Sequence, residues 1–235
     1  MYNSRMITEQ DLEKYSTNIS VERLKSFIRN EDDTIEKVLS RYVDNIQISQ
    51  SLYPELSILE ITLRNSIDSM LKANFSENWL EEEIEFNKIL VEKDYNTLLN
   101  TYNSTKEECK NNSKEFTQGK VIANLNFGFW TSICSKQYSL TIWHKKKCFR
   151  SVFANYPSKK QEISKISRQL YEIRRLRNRI FHYEQIFKHP TKTLKVYDNI
   201  KEFLAYLPDN DNSTILSKTS SFVNTYNRLI CEYTR

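Results

Sequence analysis

Arg177, Asn178 and His182 fall within the six residues Arg177-Asn178-Arg179-Ile180-Phe181-His182, and their side chains suit one kind of reaction. A histidine titrates near neutrality, so it can take the proton of a ribose 2′-hydroxyl or return one to a leaving 5′-oxygen. An arginine presents a planar fork that pairs with phosphate and offsets the charge growing on a pentavalent phosphorus. An asparagine beside them can orient the imidazole or donate to a phosphate oxygen. Together these groups would suit metal-independent cleavage of RNA through a 2′,3′-cyclic phosphate. The 2′-hydroxyl is the nucleophile, so DNA would not be cut by this route. The Arg/His spacing alone is weakly specific.

The element that must position these residues reads as one long helix from about Lys159 to Phe187, the longest expected in the chain. Its apolar stripe is Ile163, Ile166, Leu170, Ile173, Leu176, Ile180, Tyr183 and Phe187, at steps of three and four. At 100° per residue, Asn178 and His182 stand about 40° apart opposite this stripe, whereas Arg177 and His182 are about 140° apart. A single ideal helix therefore does not stack Arg177 on His182. A bent helix, or a second copy facing the first so that two Arg/His sets share one cleft, would bring them together.

The surrounding charge points the same way. Net charge is +5, yet Lys136–Lys188 holds fourteen Lys/Arg against three Asp/Glu, so this stretch carries +11 and the remainder −6. A segregated basic stretch fits a polyanion, because lysine and arginine on phosphates release condensed counterions; a solvated helix face is the competing reading. Lys145, Lys146, Lys147 and Arg150 form its densest run and could track a phosphate backbone. Trp143 beside them fits a core position or a base-stacking one. Arg174 and Arg175 fit either flanking phosphates or surface ion pairs. Arg64 and Asn65 fit either a site-facing role or, for Arg64, a pair with Glu60.

Composition bounds the fold. With 235 residues, 39% hydrophobic and 12% aromatic, the chain can bury a sizeable core, and only 2 Gly and 4 Pro disfavour a turn-rich β fold. The class expected is all-α, in one domain over residues 1–235. Helices are expected at about Val21–Arg29, from a capping box Asp33-Thr34-Ile35-Glu36 to about Ile48, and from Pro54 along Leu56, Leu59, Leu63, Ile67, Met70 and Leu71. One more is expected around Tyr95–Tyr102, then an exposed Asn111-Asn112-Ser113 loop and a short helix at Gly119–Leu125. Phe127-Gly128-Phe129-Trp130 reads as a core plug. A basic helix at Thr141–Tyr156, and helices near Val196–Leu207 and Thr214–Tyr233, complete the bundle.

Four cysteines without regular spacing read as reduced thiols, and His144, His182 and His189 form no ligand motif, so neither a metal nor another cofactor is expected. His189, before Pro190, reads as a helix end. No apolar leader and no apolar run of membrane-spanning length is present, which fits a cytoplasmic protein.

Arg177-Asn178-Arg179-Ile180-Phe181-His182 resembles the Arg-Asn-x-x-x-His signature of HEPN domains. Leu59-Glu60-Ile61-Thr62-Leu63-Arg64-Asn65 and Phe127-Gly128-Phe129-Trp130 resemble two further blocks of the bacterial abortive-infection (Abi-like) proteins, in the same order. The resemblance implies a HEPN-like helical bundle with additional helices, and a metal-independent endoribonuclease in anti-phage defence or toxin–antitoxin control. Catalytic roles would fall to Arg177 and His182 and a supporting one to Asn178. It also implies RNA partners, a target and a regulatory small noncoding RNA, held in a homodimer or a ribonucleoprotein. The sequence departs from the family pattern at Phe181, where a small residue is common, and at Tyr183 and Gln185, which replace a His and a Pro. Two other functions fit the same residues: an RNA-binding protein that does not cut, and a protein scaffold with an unused motif.

Overall fold

The computed structural model describes residues 7, 9–14, 19–158, 160–209 and 211–233; Lys159, the expected start of the motif helix, and the N-terminal residues 1–6 lie outside them. Among the described residues the protein is all-α, without a strand. The helices are α1 (Glu9–Glu13), α2 (Val21–Lys25), α3 (Ile35–Ser51), α4 (Tyr53–Asn74), α5 (Trp79–Phe86), α6 (Glu92–Asn111) and α7 (Gln118–Asn124). They continue with α8 (Phe127–Ile133), a 3-10 turn at Lys136–Tyr138, α9 (Lys146–Val152), α10 (Ile163–Phe181), α11 (Pro190–Tyr206), α12 (Asn212–Thr219) and α13 (Phe222–Tyr233). Among the described residues, no helix is long and apolar enough to cross a membrane.

The chain groups into two compact units, each assembled from separated stretches: Met1–Glu55, Arg175–Asp198 and Leu216–Arg235 in unit 1, Leu56–Arg174 and Asn199–Ile215 in unit 2. In unit 1 the core gathers Leu12, Leu24, Phe27 and Val38, with Ile35, Leu39 and Tyr42 packed against them. Helix α13 lies on α3, and an aromatic series runs from Tyr197 through Phe222 and Tyr226 to Phe187.

Unit 2 buries the α4 stripe Leu56, Leu59, Leu63, Ile67, Met70 and Leu71 as its spacing predicts. Phe127, Phe129 and Trp130 are also core, although they sit in a helix (α8), capped by the Asn126 side chain on the Phe129 N–H at 3.0 Å. A Cβ on Gly128 would come within 2.8 Å of Asn126 Oδ1, so a larger residue there would push on the capping side chain. Trp143 is core, not surface: its Nε1 donates to the Ile133 carbonyl at 2.8 Å and its ring packs near Phe149 and Phe153. Buried Asp94 accepts from Ser132, Gln137 and Tyr138, which fixes the 3-10 turn.

Several expected boundaries are corrected, most of them by a competitor for backbone hydrogen bonds. Helix α2 stops at Lys25, because the Asp33 carboxylate takes the N–H groups of Arg29 and Asn30. Thr34, not Asp33, caps α3, its hydroxyl accepting from Lys37 N. Two helices, α5 and α6, stand where one was expected around Tyr95–Tyr102; Asn87 at φ 44° and the buried Glu83 carboxylate, which accepts from residues 88–90, separate them. The basic helix shrinks to α9, since the Tyr138 carbonyl draws the N–H groups of both Ile142 and Trp143 into turns before it. Helix α11 begins at Pro190, whose fixed φ suits a first turn, so His189 precedes a helix instead of ending one. The last expected helix is two, parted at Ser220, whose hydroxyl donates to Glu55. The longest helix is α4, with 22 residues, against 19 in α10.

Candidate active site

Helix α10 ends at Phe181, six residues before the expected Phe187. The Glu184 N–H donates to the Arg179 carbonyl at 2.8 Å and the Tyr183 N–H to the Ile180 carbonyl at 3.0 Å, with Tyr183 left-handed at φ 57°. These bonds form a Schellman stop, which satisfies the last helical carbonyls and turns the chain away. Consequently Ile180 is only half-buried and Tyr183 is 73% exposed, whereas Phe187 is buried from the loop. His182 becomes the C-cap. Its N–H still donates to the Asn178 carbonyl at 2.9 Å, so Asn178 lies one turn below it, and both are exposed.

Arg177 is half-buried, and its guanidinium lies 4.2 Å from the centre of the Phe181 ring. Side chains four apart on a helix meet, and a cation over a ring is attracted by its quadrupole. The Arg177 charge is thereby carried to the residue that adjoins His182. Arg179 serves the turn itself, with Nε 3.1 Å from the Glu184 carboxylate and a second nitrogen donating to the Gln185 carbonyl.

The loop after the helix is fastened by side chains that sequence reading did not single out. Buried Asn45 on α3 accepts from Ile186 N at 2.7 Å and Phe187 N at 3.2 Å and donates to the Glu184 carbonyl at 3.1 Å. Arg23 donates to the His182 and Tyr183 carbonyls, Arg29 to the Phe187 carbonyl at 3.2 Å, and Thr193 to the Ile186 carbonyl at 2.6 Å. One sequence signal existed: Asn45 stands seven residues after Val38 and three before Ile48, a polar residue on an apolar stripe. Asn45→Ala strands two buried N–H groups and is expected to cost about 2–4 kcal/mol. Thermal melting would register the loss, and faster amide exchange at Ile186 and Phe187 would locate it; unchanged exchange there would sink the assignment.

Arg175, Arg177, Asn178 and His182 thus share unit 1 at one helix end. Arg175 is exposed. The remaining predicted contacts belong to unit 2. Arg174 is half-buried and reaches Thr131 Oγ1 at 3.4 Å. Arg64 Nε donates to Asn65 Oδ1 at 3.2 Å near the surface. Lys145 Nζ sits 4.6 Å over the Phe75 ring, Lys146 and Lys147 are exposed, and Arg150 donates to the Tyr156 carbonyl at 2.7 Å and to the Ser158 carbonyl. Arg150 therefore ties the end of α9 to the chain beyond it.

The site is open. Clefts of about 190, 280 and 330 Å³ occur, and none of the three is lined by Arg177, Asn178 or His182. Enclosed sites suit small molecules, whereas an exposed histidine beside cations suits a polymer laid across the surface. Among the described residues no three His, Cys, Asp or Glu converge as metal ligands. Burial raises the pKa of the Cys134 and Cys148 thiols, which keeps them from acting as thiolates. No family model matches the chain, nor does any curated protein or solved structure.

Proposed function

We propose that the protein is a metal-independent endoribonuclease of the HEPN type, serving abortive-infection or toxin–antitoxin defence as the Abi-like resemblance implies. The observation that carries this reading is the end of α10. An exposed histidine caps the helix one turn above Asn178, and the Arg177 guanidinium rests on the ring of the preceding residue. In the reaction His182 removes the 2′-hydroxyl proton of a bound ribose, and O2′ attacks the adjacent phosphorus. The bond from phosphorus to the 5′-oxygen breaks, leaving a 2′,3′-cyclic phosphate on one product and, after proton return, a 5′-hydroxyl on the other. Arg177 stabilises the charge on the phosphoryl oxygens, and Asn178 orients the imidazole or a phosphate oxygen. A second copy completes the cleft, so the homodimer is the acting form, and a small noncoding RNA restrains it.

The test incubates purified protein with labelled RNA in EDTA beside a His182→Ala variant. Cleavage that survives EDTA, yields cyclic phosphate ends, spares an all-deoxy strand and disappears in the variant is the expected result. Tight, salt-sensitive RNA binding without cutting would instead establish a non-catalytic ribonucleoprotein, which the +11 charge of Lys136–Lys188 favours as the second reading. No RNA binding at physiological salt would remove both.

A further inference from the structure

Four described residues other than glycine have a left-handed backbone: Asn87, Ser113, Asp211 and Tyr183. Asn and Asp adopt this region readily and serine is small, but a bulky tyrosine at φ 57° is an outlier. A helix stop of this kind ordinarily uses glycine or asparagine. The tyrosine is also not retained for packing, since its side chain is among the most exposed apolar ones, at 73%. Phe181, on the other side of His182 in the chain, is 49% exposed and carries the Arg177 guanidinium on its ring. Two solvent-facing rings therefore bracket an exposed histidine in the sequence. Between Arg175 and Lys188 stand four Lys/Arg and one acidic residue, Glu184. A strained, exposed aromatic at a reactive group is the pattern expected where conformation is held for function.

We infer that Tyr183 is a positioning residue that stacks the base of a nucleotide beside the scissile phosphate, so that an unpaired RNA strand is registered on His182. The inference rests on the endoribonuclease reading above. The chemistry is sequence-tolerant, because every base offers a π-face, while the neighbouring cations hold the backbone. Arg23 donates to the carbonyls of Tyr183 and His182 and so holds the backbone there, with bonds that any side chain at 183 would preserve.

The test uses the full chain and a 2′-O-methyl oligoribonucleotide, which can bind but cannot be cut because O2′ is blocked. Tyr183→Gly removes the ring and relieves the backbone. Its melting temperature is expected to hold or rise, while binding weakens by about 5- to 100-fold. Tyr183→Phe should bind like wild type. A series of oligomers with one abasic position each should include one that weakens wild-type binding as much as Tyr183→Gly does, with no further loss when both changes are combined. Wild-type affinity in Tyr183→Gly, or losses that multiply at every abasic position, would overturn the inference while leaving EDTA-resistant cleavage by wild type intact. Absence of both binding and cleavage in wild type would overturn it together with the reading beneath it.

Discussion

Asp33→Ala is expected to destabilise the protein at pH 7 by about 3–5 kcal/mol, the usual cost of removing one partner from a buried ion pair. Asp33 is 1% exposed, and both its oxygens are engaged by Arg41, one at 2.7 Å to Oδ1, while Oδ2 also accepts from the backbone of Arg29 and Asn30. Arg41 in turn donates to the Phe27 carbonyl at 3.0 Å, so the pair closes the loop between α2 and α3. Losing the carboxylate leaves a guanidinium and two N–H groups to find new partners. The Arg41 hydrogen bond, helped by those from Arg29 and Asn30, outweighs burial and holds the Asp33 carboxyl well below the ordinary carboxylate range. Its folded pKa is depressed, so its contribution is complete above the unfolded value near 4 and is lost as pH falls from there toward the folded value. Urea unfolding at pH 7 and pH 3 checks both parts. The gap between wild type and variant should be largest at pH 7 and narrower at pH 3. Equal midpoints at pH 7 would refute the assignment.

His182→Ala should lower RNA cleavage in EDTA by about 10²–10⁴-fold, the range for loss of a positioned general acid or base. Because His182 is exposed and only its backbone is bonded, the melting temperature should not move. Arg177→Lys keeps the charge but removes the planar fork, and should lower cleavage by about 10²–10³-fold, as loss of a charge-stabilising donor does. The two variants separate chemistry from binding: both should retain RNA at physiological salt, since the other cations of the basic stretch remain. Initial rates on the same labelled strand decide the matter. Cleavage by His182→Ala within about threefold of wild type would move the reaction elsewhere, since general acid–base loss costs far more than that.

Much of this was legible in the chain, and the parts that were share a physical reason. Scarce glycine and proline and apolar steps of three and four give the all-α class, because a helix is defined by neighbours within one turn. The same local reasoning finds the buried α4 stripe and the core Phe127, Phe129 and Trp130, and it singles out Arg177, Asn178 and His182 as candidates. Tertiary contacts decided where α10 stops. A tyrosine is not a stop signal in a sequence, and its left-handed backbone is held beside a loop that Asn45 and Arg23 grip from some 140–160 residues away. That stop turns His182 from a mid-helix residue into an exposed cap, releases Tyr183 to solvent and leaves Arg177 stacked on Phe181. Distant partners likewise set the grouping of the chain into two discontinuous units. The sequence by itself singled out Arg177–His182 as the candidate reactive segment; only the tertiary structure decided which of its side chains face solvent and what holds them there, because partners so far apart in the chain leave no local pattern.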